Sequence, residues 1–265
     1  MIRIAAITLL MAIAACAFTA GLWTRAGYET QFRESPDAAP SHKFPLGTDA
    51  LGRDRWSRLV YGTRVSLSLA PAAAGFSCAA AALLGGIAGW AGGFAELAIM
   101  AAADLFLSLP WMFLLLLVRA WLPLNVSPEI SVAITFALLG ALGWAAPARV
   151  VRAAVRKLRN SDFMLLAEAH GSTPWRLLSR HLIPNMKPIL LAQFWIAVPA
   201  YILAETTLGM LGLGVAEPLP SWGGLLREIE GADALSRWWL LAPALLLAAV
   251  TLSLQLLRPR QDQSI

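Results

Sequence analysis

The chain has 265 residues, of which 58% are hydrophobic and 14% charged, with a formal net charge of +5 and a mean hydropathy of +0.64. Soluble domains carry about 25% charged residues, so this composition excludes an ordinary soluble domain and predicts a membrane protein. Cys16 and Cys78 lie in apolar runs, and the three histidines lack ligand-like spacing, which argues against a disulfide framework and a metal site. The chain contains no G-x-x-x-x-G-K-[ST] phosphate loop, so we expect it to hydrolyse no nucleotide and to bind no cofactor itself.

Six apolar runs are each long enough to cross about 30 Å of hydrocarbon as a helix. We therefore predict an all-α, polytopic membrane protein with six transmembrane helices at Ile4–Trp23, Val65–Gly93, Leu97–Val118, Ile130–Ala148, Pro188–Ala216 and Trp238–Leu257. Proline and glycine within these runs are compatible with membrane helices, because neighbouring helices satisfy the freed backbone groups. Gly85, Gly86 and Gly89 predict close helix–helix approach, or reflect only the abundance of small residues in such spans.

The first apolar run admits two interpretations. Arg3 precedes it, and Ile13–Cys16 resembles a lipoprotein cleavage box, as in a signal peptide. Its uncharged length favours a retained membrane span instead. We expect a transmembrane helix over 1–23, an external segment over 24–63, a transmembrane domain over 64–257 that includes a cytoplasmic loop at 149–187, and a cytoplasmic tail over 258–265.

Lysine and arginine predict the orientation, because short loops rich in these residues remain in the cytoplasm. The segment after the fourth span is strongly basic, with Arg149, Arg152, Arg156, Lys157, Arg159, Arg176, Arg180 and Lys187. A cytoplasmic position for this segment puts both termini in the cytoplasm, with Arg3 at one end and Arg258 and Arg260 at the other. The arginine-rich segment 24–63 then lies on the external side of the membrane, which contradicts the rule that basic loops remain in the cytoplasm.

The basic segment contains the pattern of a short capped helix. Asn160 or Ser161 can cap it, Asp162 in its first turn suits the positive end of the helix dipole, and Gly171 ends it by adopting a positive φ. Helical spacing predicts one shared face for Phe163, Leu166, Ala167 and His170.

A second short helix is predicted directly after the first. Thr173 and Pro174 form an N-cap and first-turn pair, and Pro184 is expected to close the helix. One side of it carries Trp175, Leu178 and Leu182. A simple linker needs no capped, amphipathic pair of helices, so we predict that residues 160–185 dock a cytoplasmic partner. The arginines at 149, 152, 156 and 159 are expected to contact anionic lipid headgroups where the fourth span leaves the bilayer.

This segment resembles the "EAA" cytoplasmic loop of ABC-importer permease subunits. That loop begins with an acidic residue and two alanines, has a glycine four residues after the second alanine, and later has a hydrophobic residue before proline. Gly171 and Ile183-Pro184 match, and Arg180–Asn185 is similar to the RH-I-LPN form.

Two other segments resemble the dipeptide, oligopeptide and nickel branch of the same family. Phe44–Asp54, followed by Ser57-Arg58 and Tyr61-Gly62, is similar to the segment before the second span. Leu211–Gly214 with Pro220–Gly223 is similar to the segment between the fifth and sixth spans. The three motifs follow in the expected order between about residues 43 and 257. One position departs from the pattern, because alignment on Gly171 puts Leu165 where the family most often has its acidic residue.

The resemblance implies a type I ABC-importer transmembrane fold and a role as a permease subunit of an ATP-driven importer in a bacterial inner membrane. Such a subunit forms half of a translocation path for peptides or similar small solutes and is not an enzyme. The implied partners are a homologous second permease subunit, two cytoplasmic ATP-binding subunits that hold ATP and Mg, an external substrate-binding protein and the lipid bilayer, with no nucleic acid.

The resemblance also implies site residues. The residues that would dock and couple the ATP-binding subunit are Leu166, Ala167, Glu168, Ala169, His170, Gly171, Ser172, Thr173, Trp175, Arg176, Arg180 and Pro184. Gly212, Gly214, Ser221 and Trp222 would shape an external gate.

Asp104 and Glu205 are acidic residues within predicted spans. Charges at that depth are unfavourable and usually face the bundle interior or a water-filled path. They predict either a contact on the translocation path or a structural hydrogen bond between helices.

Two other classes of function remain open from the residues. An ion-coupled secondary transporter would work without ATP, but such proteins often contain internal repeats, and residues 1–130 and 131–265 show no convincing one. A membrane scaffold would recruit a partner through residues 160–185 without transporting anything.

Overall fold

The computed structural model describes residues 1–121, 127–229 and 237–257. This part of the chain is all-helical, as predicted, and its only strand-like pairings are two isolated bridges, Gln31 with Arg53 and Thr48 with Asp54. The predicted tail 258–265, with Arg258 and Arg260, lies outside the described residues.

The longest segment between consecutive helices, 24–54, lies between the second and third. They are α1 (Ile2–Phe18), α2 (Ala20–Trp23), α3 (Arg55–Ala91), α4 (Gly93–Ser108), α5 (Trp111–Trp121), α6 (Pro128–Leu142), α7 (Ala145–Arg159), α8 (Asp162–Ala169), α9 (Pro174–Arg176), a π-helical turn (Leu177–Leu182), α10 (Ile183–Met210), α11 (Trp222–Arg227), a 3-10 turn (Trp238–Leu241) and α12 (Ala242–Leu256).

The described residues do not confirm a total of six membrane spans. Four helical runs are long and apolar enough to cross a membrane in the described part of the chain, at Arg55–Ala91, Pro128–Arg159, Pro174–Met210 and Trp238–Leu256. A fifth arises if α4 and residues 112–118 of α5, which are bent by 89° relative to each other, count as one span. The first predicted span is a shorter apolar helix of 17 residues.

Proline and glycine explain where the predicted boundaries were wrong. The third predicted span breaks before Pro110, because the residue before a proline avoids the helical region, and Leu109 is extended with ψ of 135°. The fifth predicted span ends at Met210 instead of Ala216, because Gly212 has a φ of +77° and turns the chain. α3 begins at Arg55, ten residues before the predicted second span, since the Asp54 carboxylate accepts hydrogen bonds from the Trp56 and Ser57 N–H groups. The predicted domain boundary at residue 64 therefore falls inside α3.

The chain divides into two compact units. Among the described residues, the first comprises 1–71, 116–121, 127–136, 198–229 and 237–257, and in it α12 packs against α1 and α11. Trp222 at the start of α11 is fully buried, and its indole N–H donates to the Thr63 hydroxyl of α3 at 3.0 Å.

The second unit comprises 72–115 and 137–197, and in it α4 packs against α7. The close approach predicted for the small residues of α3 occurs here at Gly85 and Gly89, which face the α7 backbone at Ala148 and Arg152. Gly86, between them, faces no atom within 4 Å. Close packing with α7 therefore involves two of the three glycines.

Candidate functional site

The basic segment begins on α7, whose arginines are attached to neighbouring elements of the second unit. Arg152 and Arg156 both pair with Glu96 at the start of α4, Arg156 at 3.1 Å. Arg149 pairs with Asp104, and Arg159 donates to the Trp90 carbonyl and lies over the Trp90 ring. Arg149 and Arg156 remain about half exposed, so their predicted contact with lipid headgroups stays a prediction.

Asp104 therefore has an ionic partner within the chain. Its carboxylate links α4 to α7, and its side chain remains 57% exposed.

The first short helix, α8, is held against α7 by one side chain that the sequence reasoning missed. Met164 is 1% exposed and packs in an apolar cluster with Val151, Val155, Leu177 and Leu182. Of the four residues predicted to share a face of α8, Ala167 packs against this cluster, whereas Phe163, Leu166 and His170 are exposed. No local signal separates Met164 from its apolar neighbours, because α8 carries apolar residues around most of its circumference.

Gly171 ends α8 as predicted, with a φ of +79°. The Gly171 N–H donates to the Glu168 carbonyl at 2.9 Å and the Ser172 N–H to the Ala167 carbonyl at 3.1 Å, the two hydrogen bonds of a Schellman motif. A β-carbon at Gly171 would meet no atom within 4 Å, so the backbone conformation alone selects glycine. Ser161 occupies the N-cap position but makes no side-chain capping bond.

The second short helix begins as predicted and ends differently. Thr173 accepts a hydrogen bond from the Arg176 N–H through its side chain, and Pro174 occupies the first helical position. Pro184 does not close the helix, which continues through a π-helical turn into α10. The wider π turn accommodates a proline that has no N–H to donate, so residues 174–210 form one helical run.

An apolar surface remains exposed on α8 and the helix that follows it. We call this set the docking patch; it consists of Phe163, Leu165, Leu166, Trp175 and Ile183, with exposed fractions of 43–73%. The polar members of the predicted site, among them Glu168, Arg176 and Arg180, are exposed beside it. The remaining predicted residues, Ala169, His170, Thr173 and Pro184, are exposed as well, and Ser172 is half-buried.

The residues predicted to form an external gate come together in the first unit. Gly214 and Gly223 approach Gly209 near the end of α10 so closely that a β-carbon on Gly214 would lie 2.5 Å from the Gly209 Cα. Only glycine allows this approach of α11 to α10. Ser221 caps α11 by accepting from the Gly224 N–H at 3.2 Å.

Glu205 of α10 is fully buried in the same unit. The Ser221 hydroxyl is the polar group that faces its carboxyl, although neither carboxyl oxygen has a hydrogen bond of ordinary geometry among the described residues. A buried carboxyl without a firm hydrogen-bond partner is unfavourable.

The sequence reasoning missed an ionic network in the same unit. Arg53 and Arg58 share the carboxylates of Asp49 and Glu217, and all but Glu217 are almost completely buried. Burial opposes ionisation of both acids, but hydrogen bonds from Arg53 and the nearby charge of Arg58 hold the pKa of Asp49 and of Glu217 below the usual range. Asp49 and Arg53 are four residues apart, whereas Glu217 lies 164 residues beyond Arg53 and gives no local signal.

The helices define a polytopic, all-α membrane protein with an exposed helix–glycine–helix segment. Residues 81–265 match the protein family described as "Binding-protein-dependent transport system inner membrane component", and the chain belongs to this family. This agrees with the predicted transport subunit that is not itself an enzyme.

Curated relatives come from peptide transport systems. The chain is 34% identical to the oligopeptide transport system permease protein OppC of Bacillus subtilis (strain 168) over 78% of its length and 66% of the relative's. It is 33% identical to the dipeptide transport system permease protein DppC of the same organism, over 69% and 56%. It is 31% identical to OppC of Escherichia coli (strain K12), over 89% and 76%. The chain thus spans about two thirds or less of the two relatives from Bacillus.

Proposed function

We propose that this chain is the permease subunit of an ATP-driven importer, in which it forms half of the path for peptides or similar small solutes. The observation that carries the proposal is the docking patch, five exposed apolar side chains on a segment whose opposite side is anchored in a buried cluster. Large apolar side chains exposed together mark an interaction surface. The names of the relatives support peptides as the substrate class.

The geometry suits transmission of a movement from the docking patch to the membrane helices. Met164 attaches α8 to α7, and Trp175 stands at the start of the helical run that continues as α10. A force on the patch would therefore reach two candidate membrane spans through rigid contacts. Gly171 sets the angle between α8 and the run that follows it.

Leu165 predicts how the patch is recognised. At the position where the family most often has an acid, this chain has a leucine that is 51% exposed. The surface of the ATP-binding subunit that contacts Leu165 would then be apolar. Docking would depend little on salt concentration, because ions do not screen the burial of apolar area. Arg176 and Arg180 would add charge pairs at the rim.

The proposal includes an assembly and an orientation. A homologous permease subunit would complete the path, two cytoplasmic ATP-binding subunits would hold ATP and Mg, and an external binding protein would deliver the substrate. Residues 149–187 and both termini would face the cytoplasm of a bacterial cell, and Gly212, Gly214, Ser221 and Trp222 would shape the external gate.

The test is ATPase coupling in the complex that copurifies with the chain, using variants that separate docking from folding. Gly171→Pro cannot adopt the positive φ, whereas Gly171→Asn tolerates it and serves as the control. Trp175→Ala removes an exposed contact, whereas Met164→Ala removes a buried one and is expected to destabilise the chain by about 2–5 kcal/mol.

We expect ATPase subunits to copurify with the native chain and with Gly171→Asn. Trp175→Ala and Gly171→Pro should release the ATPase subunits or uncouple their activity from transport. The unfolding temperature of Trp175→Ala should equal that of the native chain. Absence of any copurifying ATPase, or unchanged coupling in both variants, would refute the proposal and favour an ion-coupled transporter or a scaffold.

A further inference from the structure

The Arg53–Arg58 pair has one permanent acidic partner and one exposed partner. The side chains of Arg53, Arg58 and Asp49 are 6%, 2% and 4% exposed, whereas that of Glu217 is 61% exposed. Two buried guanidinium groups and one buried carboxylate leave one positive charge without a buried counterion. Glu217, from the segment after α10, supplies the second negative charge from the surface.

The two carboxylates are held differently. Asp49 accepts hydrogen bonds from both arginines at 2.6 and 2.7 Å and also from the Leu51 and Arg53 backbone N–H groups. Glu217 is held through its side chain, by Arg53 at 2.9 and 3.2 Å and by Arg58 at 3.4 Å. Asp49 is therefore a built-in part of the pair, and Glu217 occupies a bidentate carboxylate position that faces the surface.

One N–H of the pair has no hydrogen-bond partner in the part of the chain that the structure describes, and a cavity opens beside Arg53 and Glu217. The Arg58 Nε–H is buried without a hydrogen-bond partner among the described residues. This cavity has a volume of about 340 Å³, and its charged lining residues are Arg53, Glu217, Asp49, Asp37, Arg55, Glu228 and Arg237. Arg58 does not line this cavity and is reached through Glu217. This volume lies within the range of about 300–1,000 Å³ typical of small-molecule sites.

We propose that the Arg53–Arg58 pair is a carboxylate-binding site that Glu217 fills in the state seen here. When the segment 211–218 moves, the terminal carboxylate of a transported peptide takes the place of Glu217. Arginine pairs are suited to this ligand, because the planar guanidinium matches both carboxylate oxygens. This inference rests on the proposed function for its substrate class.

The test compares a dipeptide with its C-terminal amide, here Ala-Ala and Ala-Ala-amide, in thermal unfolding of the full chain purified with its copurifying subunits. Glu217→Gln removes the internal competitor, so the free dipeptide should raise the unfolding temperature at concentrations about tenfold lower than for the native chain. A tenfold gain corresponds to a site that is open in about one tenth of native molecules. Ala-Ala-amide should have no effect on either protein.

Two further variants keep the test specific. Asp37 is an exposed acid of the same cavity, and its Oδ1 lies 3.8 Å from Arg55 Nη2. Asp37→Asn should respond to the dipeptide at the same concentrations as the native chain. Glu217→Asp keeps the negative charge but shortens the side chain by one methylene. Its gain in sensitivity to the dipeptide should lie between those of the native chain and Glu217→Gln. Equal responses to acid and amide, or an equal gain for Asp37→Asn and Glu217→Gln, would overturn the carboxylate site.

Two controls separate this inference from other outcomes. The unfolding assay contains no ATP and no external binding protein, so it measures binding of the dipeptide alone. If a preference for the acid over the amide arises only when a binding protein is added, the carboxylate site does not lie on this chain. ATP-driven uptake by the reconstituted native complex tests the proposed function separately. Uptake without the acid–amide difference in Glu217→Gln refutes the site alone, and loss of all uptake in the native complex refutes the proposed function.

Discussion

A methyl group added at Gly85 tests the close packing of α3 on α7. Its carbon would lie 2.4 Å from the Ala148 carbonyl oxygen and 2.9 Å from the Val151 Cβ, whereas ordinary contact begins at 3.4 Å. The nearest atom belongs to the backbone of α7, so no side-chain rotation relieves the overlap. The two helices would have to separate by roughly 1 Å to accept the methyl group. Gly86→Ala is the matched control, because no atom lies within 4 Å of a β-carbon there.

The expected difference in stability follows from this geometry. Overpacking of this kind costs about 1–3 kcal/mol. The gain of up to about 1 kcal/mol in helix propensity when alanine replaces glycine applies equally at both positions and cancels in the comparison. We therefore expect Gly85→Ala to be less stable than Gly86→Ala by about 1–3 kcal/mol.

Unfolding of both variants by sodium dodecyl sulfate, monitored by circular dichroism in the same mixed micelles, measures this difference. Gly86→Ala should unfold at or slightly above the native midpoint, and Gly85→Ala below it. Equal midpoints for the two alanine variants would refute the conclusion that α3 and α7 are in contact at Gly85.

Three other predictions concern the remaining features. A double-mutant cycle of Trp222→Phe and Thr63→Val should give a coupling of about 1 kcal/mol in the free energy of unfolding, because their hydrogen bond is buried. The pKa of Asp49 is lowered from 3.8 on folding, so its stabilisation is complete above about pH 4 and is lost as the pH falls through the lower folded-state value. Asp49→Asn should therefore show a lower stability at pH 7 and a shallower loss below pH 4, and an unchanged acid limb would contradict this. Leu165→Glu should weaken retention of the ATPase subunits and make it salt-dependent; stronger retention in low salt would indicate an ionic seat instead of an apolar one.

Local chemistry determined several elements from the sequence alone. Gly171 ends α8 and Thr173 with Pro174 begins the next helix, because both signals depend on hydrogen bonds and backbone angles within a few residues. The apolar runs likewise predicted an all-helical membrane protein, and the order of the three motifs indicated the family that residues 81–265 match. These features require no knowledge of which segments meet in space.

Tertiary packing decided the features that depend on distant neighbours. Met164 and Leu166 are both apolar and two residues apart, yet contact with α7 buries the first and leaves the second exposed. Gly85 and Gly86 are adjacent, and only the direction of α7 distinguishes them. The ion pair between Arg53 and Glu217 forms only because the fold brings together residues that are 164 positions apart in the sequence. A sequence pattern specifies the polarity of each surface, whereas the choice of partner is a property of the packed helices.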